Sequence, residues 1–386
     1  MDNDSRKPLG INPVLSYSQD DPRELRMTRL SAPHAPHQHA AHLLTGPPPI
    51  SQPVPVQPTA GDPGGLRSAG IRRTIADTEL SVHPLALGTS VFGWTVDGPT
   101  SLGILDRHRE LGGNFIDTAD SYSAGRSEVF IGSWLRSRGA RDSTVIATKV
   151  GRNRDNPGLS PASITGAVHD SLERLGTDHI DLLYFHFDDV TVPLEESLGA
   201  VDVLIRGGQV RYLAASNFSA ERLMEARVLA ANGLPRFVAL ETHYNLVHRR
   251  DFESSLALAA HAQDLAVMPY FPLAHGFLAG SYRTKADVVA SVRGARAAAY
   301  LNRASLRVLS TLERIADEHG VPPATIALAW LLTRDKVVSP VAGASRPEQV
   351  DALAAAASVR LRRADLVHLD RVSAWAPAGW PTRSRR

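Results

Sequence analysis

A single closed (β/α)8 TIM barrel is the fold this sequence predicts, and three observations predict it. Eight short apolar runs recur between residues 70 and 377. Most of these runs are continuous rather than alternating, as strands of a parallel sheet buried on both faces are. The intervals between them are mostly about 25 to 36 residues, room for one helix each. In chain order the strands are predicted at 85–87, 114–117, 144–148, 181–185, 212–215, 237–240, 266–270 and 337–341. After the third run, Ser163 is the predicted cap of a helix carrying Ile164, Val168, Leu172 and Leu175 on one face, with Gly176 as its stop. After the fourth, Leu194, Leu198, Val201 and Ile205 repeat the pattern up to Gly207-Gly208. The widest interval, 271–337, carries a loop from about Ala274 to Leu301 and then two helices. A long loop at the top of a barrel is a natural cover for substrate or cofactor. A doubly wound sheet is the competing architecture. It is disfavoured because the first strand-to-helix turn, Gly88-Thr89-Ser90-Val91-Phe92-Gly93, is not GxGxxG, and no GxxxxGK followed by Ser or Thr occurs.

Composition narrows the chemistry. The 386 residues are 43% apolar and carry a net charge of +2, enough to build a large core and too balanced for a nucleic-acid stripe. With no cysteine there is no disulfide framework, thiolate metal site or Cys nucleophile. The opening residues MDNDSRKPLG lack an apolar targeting core, and no apolar run reaches the ~18 to 20 residues of a membrane span. A soluble, cytoplasmic protein without nucleic-acid or membrane partners is expected. Residues 1–69 hold 12 of the 26 prolines and the cluster His34, His37, His39 and His42, and are expected to be disordered. A metal-binding tract is the sharper reading of those histidines. A solvated tail, or a true start near Met27, is the plainer one and is adopted. Residues 378–386 read as a basic tail.

In a barrel the reactive groups come from the C-terminal ends of strands. Asp117 ends the second run, Tyr122 follows it, Lys149 ends the third and His186 ends the fourth. Each has an ordinary explanation alone: a cap, a rim aromatic, a satisfied interior histidine. Lys149 resists one, because the chain uses four lysines against 38 arginines, so an amine rather than mere charge is wanted there. Together the four form a proton-transfer group. Lys149 is expected to lower the pKa of Tyr122, Asp117 to orient Lys149, and His186 to donate to a carbonyl oxygen.

Asn114-Phe115-Ile116-Asp117-Thr118-Ala119-Asp120-Ser121-Tyr122, Ser127-Glu128, Thr148-Lys149 and Tyr184-Phe185-His186 resemble the tetrad regions of the aldo-keto reductase superfamily. So do Arg211 to Phe218, His243-Tyr244-Asn245-Leu246, Tyr270-Phe271-Pro272-Leu273 and Gly343-Ala344-Ser345, in family order over about residues 70–377. The resemblance implies NAD(P)H-dependent reduction of an aldehyde or ketone, or the reverse, with Tyr122 as proton donor and NADPH preferred over NADH. It places Ser216 and Asn217 on the carboxamide, Tyr270 on the nicotinamide, and Phe271, Pro272, Leu273 and Gly276 along the pyrophosphate. Gly343, Ser345, Arg346 and Gln349 face the adenosine 2′-phosphate end. One position departs: Glu241 stands where the family commonly has glutamine, so it is either protonated or holds the carboxamide differently. Trp94 and Phe187 are candidate pocket walls, and Asp188 and Asp189 either contact substrate hydroxyls or belong to a solvated loop. Two rivals stay open: a regulatory barrel that binds cofactor and turns over little, and a Schiff-base aldolase using Lys149. No metal site is expected.

Overall fold

The structure, a computed structural model, describes residues 71–375. The extension expected at 1–69 and the tail at 378–386 lie outside the described residues. A small antiparallel pair, β1 (Arg73–Thr74) and β2 (Ser81–Val82), precedes the barrel. The barrel strands follow as β3 (Ala86–Gly88), β4 (Phe115–Asp117), β5 (Val145–Val150), β6 (Ile180–Phe185), β7 (Val210–Ser216), β8 (Phe237–His243), β9 (Ala266–Tyr270) and β10 (Val341–Ala342). They are parallel and close in the order β10-β3-β4-β5-β6-β7-β8-β9, the predicted (β/α)8 barrel.

Strand periodicity decides which side chains reach the centre. Phe115, Ala147, Leu182, Tyr184, Ala214, Ala239 and Met268 fill the interior. Their neighbours Ile116, Ile146, Leu183, Phe185, Leu213, Leu240 and Val267 face the helices. The same alternation carries Asp117, Lys149, His186 and Glu241 to the inside at the C-terminal mouth. The β1–β2 pair lay below sequence detection because two-residue strands carry no periodicity. Its Ile75, Leu80 and Val82 join the interior layer and plug the N-terminal end.

Two expectations need correction. The eighth strand begins at Val341 rather than Val337. Val337 makes only an isolated bridge to Val267, and Pro340, which has no N–H to give the ladder, breaks the run. The helix Pro161–Leu175 is capped by Ser160, which accepts from the Ser163 backbone N–H at 3.2 Å, so Ser163 is the third helical residue and not the cap. Gly176 ends that helix in the left-handed region, as read from sequence. The helix Leu194–Arg206 also stands as read. The long loop before helices Arg303–His319 and Pro323–Leu331 holds short helical turns at Lys285–Val289 and Gly294–Ala297 rather than irregular chain.

His83 and His108 meet edge to face at 6.2 Å, fully buried, with no ring nitrogen hydrogen-bonded. Burial pushes them down to about 4 and about 3, with the charge of Arg72 adding to His83 and the neighbouring ring to His108. Both are neutral in the fold, while the unfolded chain protonates near ~6.5. Their contribution is therefore complete above that value and is lost as pH falls from about 6.5 toward the folded values, at ~1.4 kcal/mol per unit of depression. Urea unfolding midpoints are expected to fall between pH 7 and pH 5, and His108→Met to blunt that fall; equal slopes in both proteins would remove this pair as the cause.

Candidate active site

The catalytic candidates come from three neighbouring strands, β4, β5 and β6, and the cofactor candidates from the next four, β7 to β10. Lys149 Nζ donates to Asp117 Oδ1 at 2.6 Å and to the Thr118 carbonyl at 3.1 Å. It also makes an ion-pair contact with Glu241 Oε2 at 3.1 Å, though not an aligned hydrogen bond. Two phenol rings flank the ammonium, Tyr122 at 5.4 Å and Tyr184 at 5.5 Å from its nitrogen. The Tyr122 and His186 rings meet edge to face at 6.1 Å.

Tyr122 is placed by its turn. Ser123, Ala124 and Gly125 are all left-handed, with φ of 52°, 54° and 85°, and Ser123 Oγ donates to the Phe92 carbonyl at 2.8 Å. Gly125 adopts this region freely, but two consecutive non-glycine residues in it, Ser123 and Ala124, are the kind of strain found where a fold over-determines a functional side chain. Below the turn, Ser127 Oγ bonds Thr89 and Thr118, and the buried Glu128 accepts from Thr148 at 2.6 Å and Arg174 at 2.7 Å. The Ser127-Glu128 motif therefore ties this loop to its neighbours.

Charge in the cluster is set by competition. Burial pulls the Lys149 amine down, but Asp117 and then Glu241 outweigh it and hold the ammonium above its ordinary range. Burial pushes the Asp117 carboxyl up while Lys149 pulls it back. One ammonium between two buried carboxyls leaves a proton on the pair at neutral pH. Glu241, pushed up to about 8 by burial and then by Asp117, is the member that keeps it, since Asp117 holds the shorter contact. Burial, then the charges of Lys149 and Arg152, hold His186 well below its ordinary value, so its ring is neutral. Tyr122 as a whole is only partly buried, yet its crowded surroundings push the phenol above its ordinary value, and Asp117 and Glu241 add to this against Lys149. The expected acidic phenol is thus corrected: Lys149 pulls in the predicted direction and is outweighed.

The cofactor candidates form three groups at the same mouth. Asn217, left-handed at φ 57°, donates to the His186 carbonyl at 2.9 Å and to Ser216 Oγ at 3.0 Å, and accepts from Tyr270 at 2.7 Å. Beyond β9 the chain turns through Phe271, Ala274, His275 and Gly276, all at positive φ. Within that turn Pro272 is buried, and Leu273 packs on the outer core. After β10, a Cβ on Gly343 would stand 2.7 Å from the Gly88 carbonyl, so glycine is needed there for strand packing whatever else it does. Gln349 Oε1 accepts from the Ser345 N–H at 2.8 Å, and Arg346 is exposed.

The aldo/keto reductase family profile matches residues 84–374. The chain belongs to the aldo/keto reductase family. Norsolorinic acid reductase B of Dothistroma septosporum is 31% identical over 320 residues, 77% of this chain and 80% of that protein. Aldo-keto reductase AMT2 of Alternaria alternata is 33% identical over 299 residues, 70% and 81%. Aryl-alcohol dehydrogenase (NADP+) of Phanerodontia chrysosporium is 32% identical over 302 residues, 70% and 77%. Membership makes the chain an oxidoreductase of carbonyl or alcohol groups, in a family that uses a nicotinamide dinucleotide.

In this aldo/keto reductase, Asp188 and Asp189 are engaged by the protein. Arg222 grips Asp188 through Nε and Nη2 at 2.9 to 3.1 Å, and Asp189 accepts from Thr191 and the Leu159 N–H. Several residues at the mouth escaped the sequence reading. Tyr184 was legible as the inward residue two before His186. His243 stacks between His248 at 3.7 Å and Tyr270 at 5.3 Å, and burial holds it down at about 2. Arg296, from the long loop, lies over the ring of Trp94 at 5.2 Å. Among the described residues no helix is long and apolar enough to cross a membrane.

Proposed function

We propose that this chain reduces an aromatic aldehyde or ketone to the alcohol with NADPH, Tyr122 giving the proton. The supporting observation is the Lys149 ammonium, buried against Asp117 at 2.6 Å and lying 5.4 Å from the Tyr122 ring. Bound at the mouth, the reduced nicotinamide supplies the hydride. Neutral His186 donates a hydrogen bond to the carbonyl oxygen and fixes its position. Tyr122 gives its proton to that oxygen as the carbon–oxygen π bond opens, so the product is an alcohol and the phenol is left as phenolate. Lys149 stabilises that charge where it develops, and Asp117 keeps Lys149 in place. A phenol held above its ordinary value retains its proton at neutral pH, the state a donor for reduction needs. The ammonium state of Lys149 argues against the aldolase rival, whose chemistry needs a neutral amine.

The residues fit a dinucleotide. Ser216, Asn217 and Glu241 would hold the carboxamide and Tyr270 the ring face. Phe271, Pro272, Leu273 and Gly276 would follow the pyrophosphate. Gly343, Ser345, Arg346 and Gln349 would take the adenosine end, where the Arg346 guanidinium favours a 2′-phosphate and hence NADPH over NADH. A protonated Glu241 restores the donor that glutamine would supply. Glu241 becomes acceptor-only as pH passes about 8. NADPH affinity is therefore expected to weaken above that pH and to stay flat in Glu241→Gln, read as Kd from nucleotide fluorescence; parallel slopes would exclude this role. Trp94 and Phe187, 36% and 38% exposed, are walls for an aryl ring, and one relative is named for aryl alcohols. The direct test is a carbonyl panel followed by loss of NADPH absorbance, with NADH alongside. Many turnovers support the reductase, whereas a single stoichiometric oxidation points to the regulatory barrel.

A further inference from the structure

We propose that Arg152 selects carbonyl substrates that carry a carboxylate, making aryl aldehydes or ketones with an acid group the preferred class; this rests on the reductase reading above. Arg152 follows β5, the strand of Lys149, by two residues. Its guanidinium lies 4.7 Å from the centroid of the exposed Phe187 ring. Phe187 stacks on His186 at 5.4 Å and 29°, and His186 meets Tyr122 at 6.1 Å. A chain of ring contacts thus runs from the guanidinium to the proposed proton donor.

Nothing among the described residues neutralises this charge. Among the described residues no carboxylate lies within ion-pair distance of Arg152. The acids of the same rim are engaged elsewhere, Asp188 by Arg222 and Asp189 by Thr191 and Leu159. Asp155, three residues on, is exposed and makes no ion pair with it. The loop 151–158 is pinned by Gly158 N–H to the Gly151 carbonyl at 3.0 Å and by Asn153 to the Asp120 carbonyl at 2.9 Å. A half-buried guanidinium stacked on an aromatic face and held by a fixed loop is pre-organised for a planar anion, whose pairing with arginine is charge-assisted and bidentate. An aryl ring against Phe187 would bring its own carboxylate to that group.

The test uses the full-length chain with saturating NADPH, and 2-, 3- and 4-carboxybenzaldehyde against their methyl esters, which keep the ring and the carbonyl, lack the charge and, as stronger electron-withdrawing groups, favour reduction of the ester intrinsically. The expected result is a kcat/KM at least about tenfold higher for one acid than for its ester. Arg152→Met should erase that preference and leave ester turnover within about threefold, and Arg152→Lys should keep part of it. Equal acid and ester rates in the parent overturn the assignment alone. So does an equal loss on both substrates in Arg152→Met with no charge dependence in Arg152→Lys, the mark of a structural role. No turnover of acid or ester overturns the reductase reading as well.

Discussion

Tyr122→Phe is expected to lower kcat for carbonyl reduction by about 10² to 10⁴, the range a positioned proton donor contributes, while NADPH Kd changes little. The substitution deletes one hydroxyl. The ring keeps its place against His186 and Lys149, and the left-handed turn at Ser123 to Gly125 does not depend on the hydroxyl. Circular dichroism and thermal unfolding should match the parent. A variant that retained parental turnover on a good substrate would show that the proton comes from elsewhere, with Glu241 the next acid to examine.

Lys149→Met should be the most damaging single change, in activity and in stability together. Turnover is expected to fall at least as far as in Tyr122→Phe, because the phenolate loses its nearest positive charge. The fold loses more. Asp117 and Glu241 are 2% and 3% exposed, and removing the charge between two buried carboxyls costs about 3 to 5 kcal/mol. Part of that is recovered when both carboxyls take up protons. Without the ammonium, burial, joined by the charge of Asp117 acting on Glu241, raises both above the unfolded value of about 4. For such groups stability is complete below the unfolded pKa and is lost as pH rises through the folded one. Calorimetry should therefore find the variant less stable at pH 8 than at pH 5.5, opposite in sign to the slope that His83 and His108 impose on the parent. A parental pH dependence in Lys149→Met would mean that the carboxyls are neutralised by something other than this amine.

The barrel was legible because its signals are local. Continuous apolar runs and single-helix intervals do not depend on neighbours, and the inward alternation at Asp117, Lys149 and Tyr184-Phe185-His186 follows from strand parity alone. What the sequence hid depends on partners distant in the chain. The paired role of Asp188 appears only when Arg222, on a later helix, is brought beside it. The direction of the Tyr122 shift needed the crowding and the two carboxyls that the closed barrel assembles, since the lysine viewed alone argues the opposite way. Glu241 stood out as a departure, but its proton follows from sharing one ammonium with Asp117, 124 positions away. Arg152 carried no signal in a chain with 38 arginines; only its place over Phe187 separates it from the rest.

Single-turnover reduction with NADPH deuterated at the transferable C4 position, followed by mass spectrometry of the alcohol, interrogates the mouth of the barrel most directly. Deuterium on the carbinol carbon in the parent protein, with the yield per burst collapsing in Tyr122→Phe, is the expected outcome. An alcohol formed without the label, or nucleotide that never binds, would contradict the assignment of Tyr122, Lys149, Asp117 and His186 to hydride-coupled proton transfer.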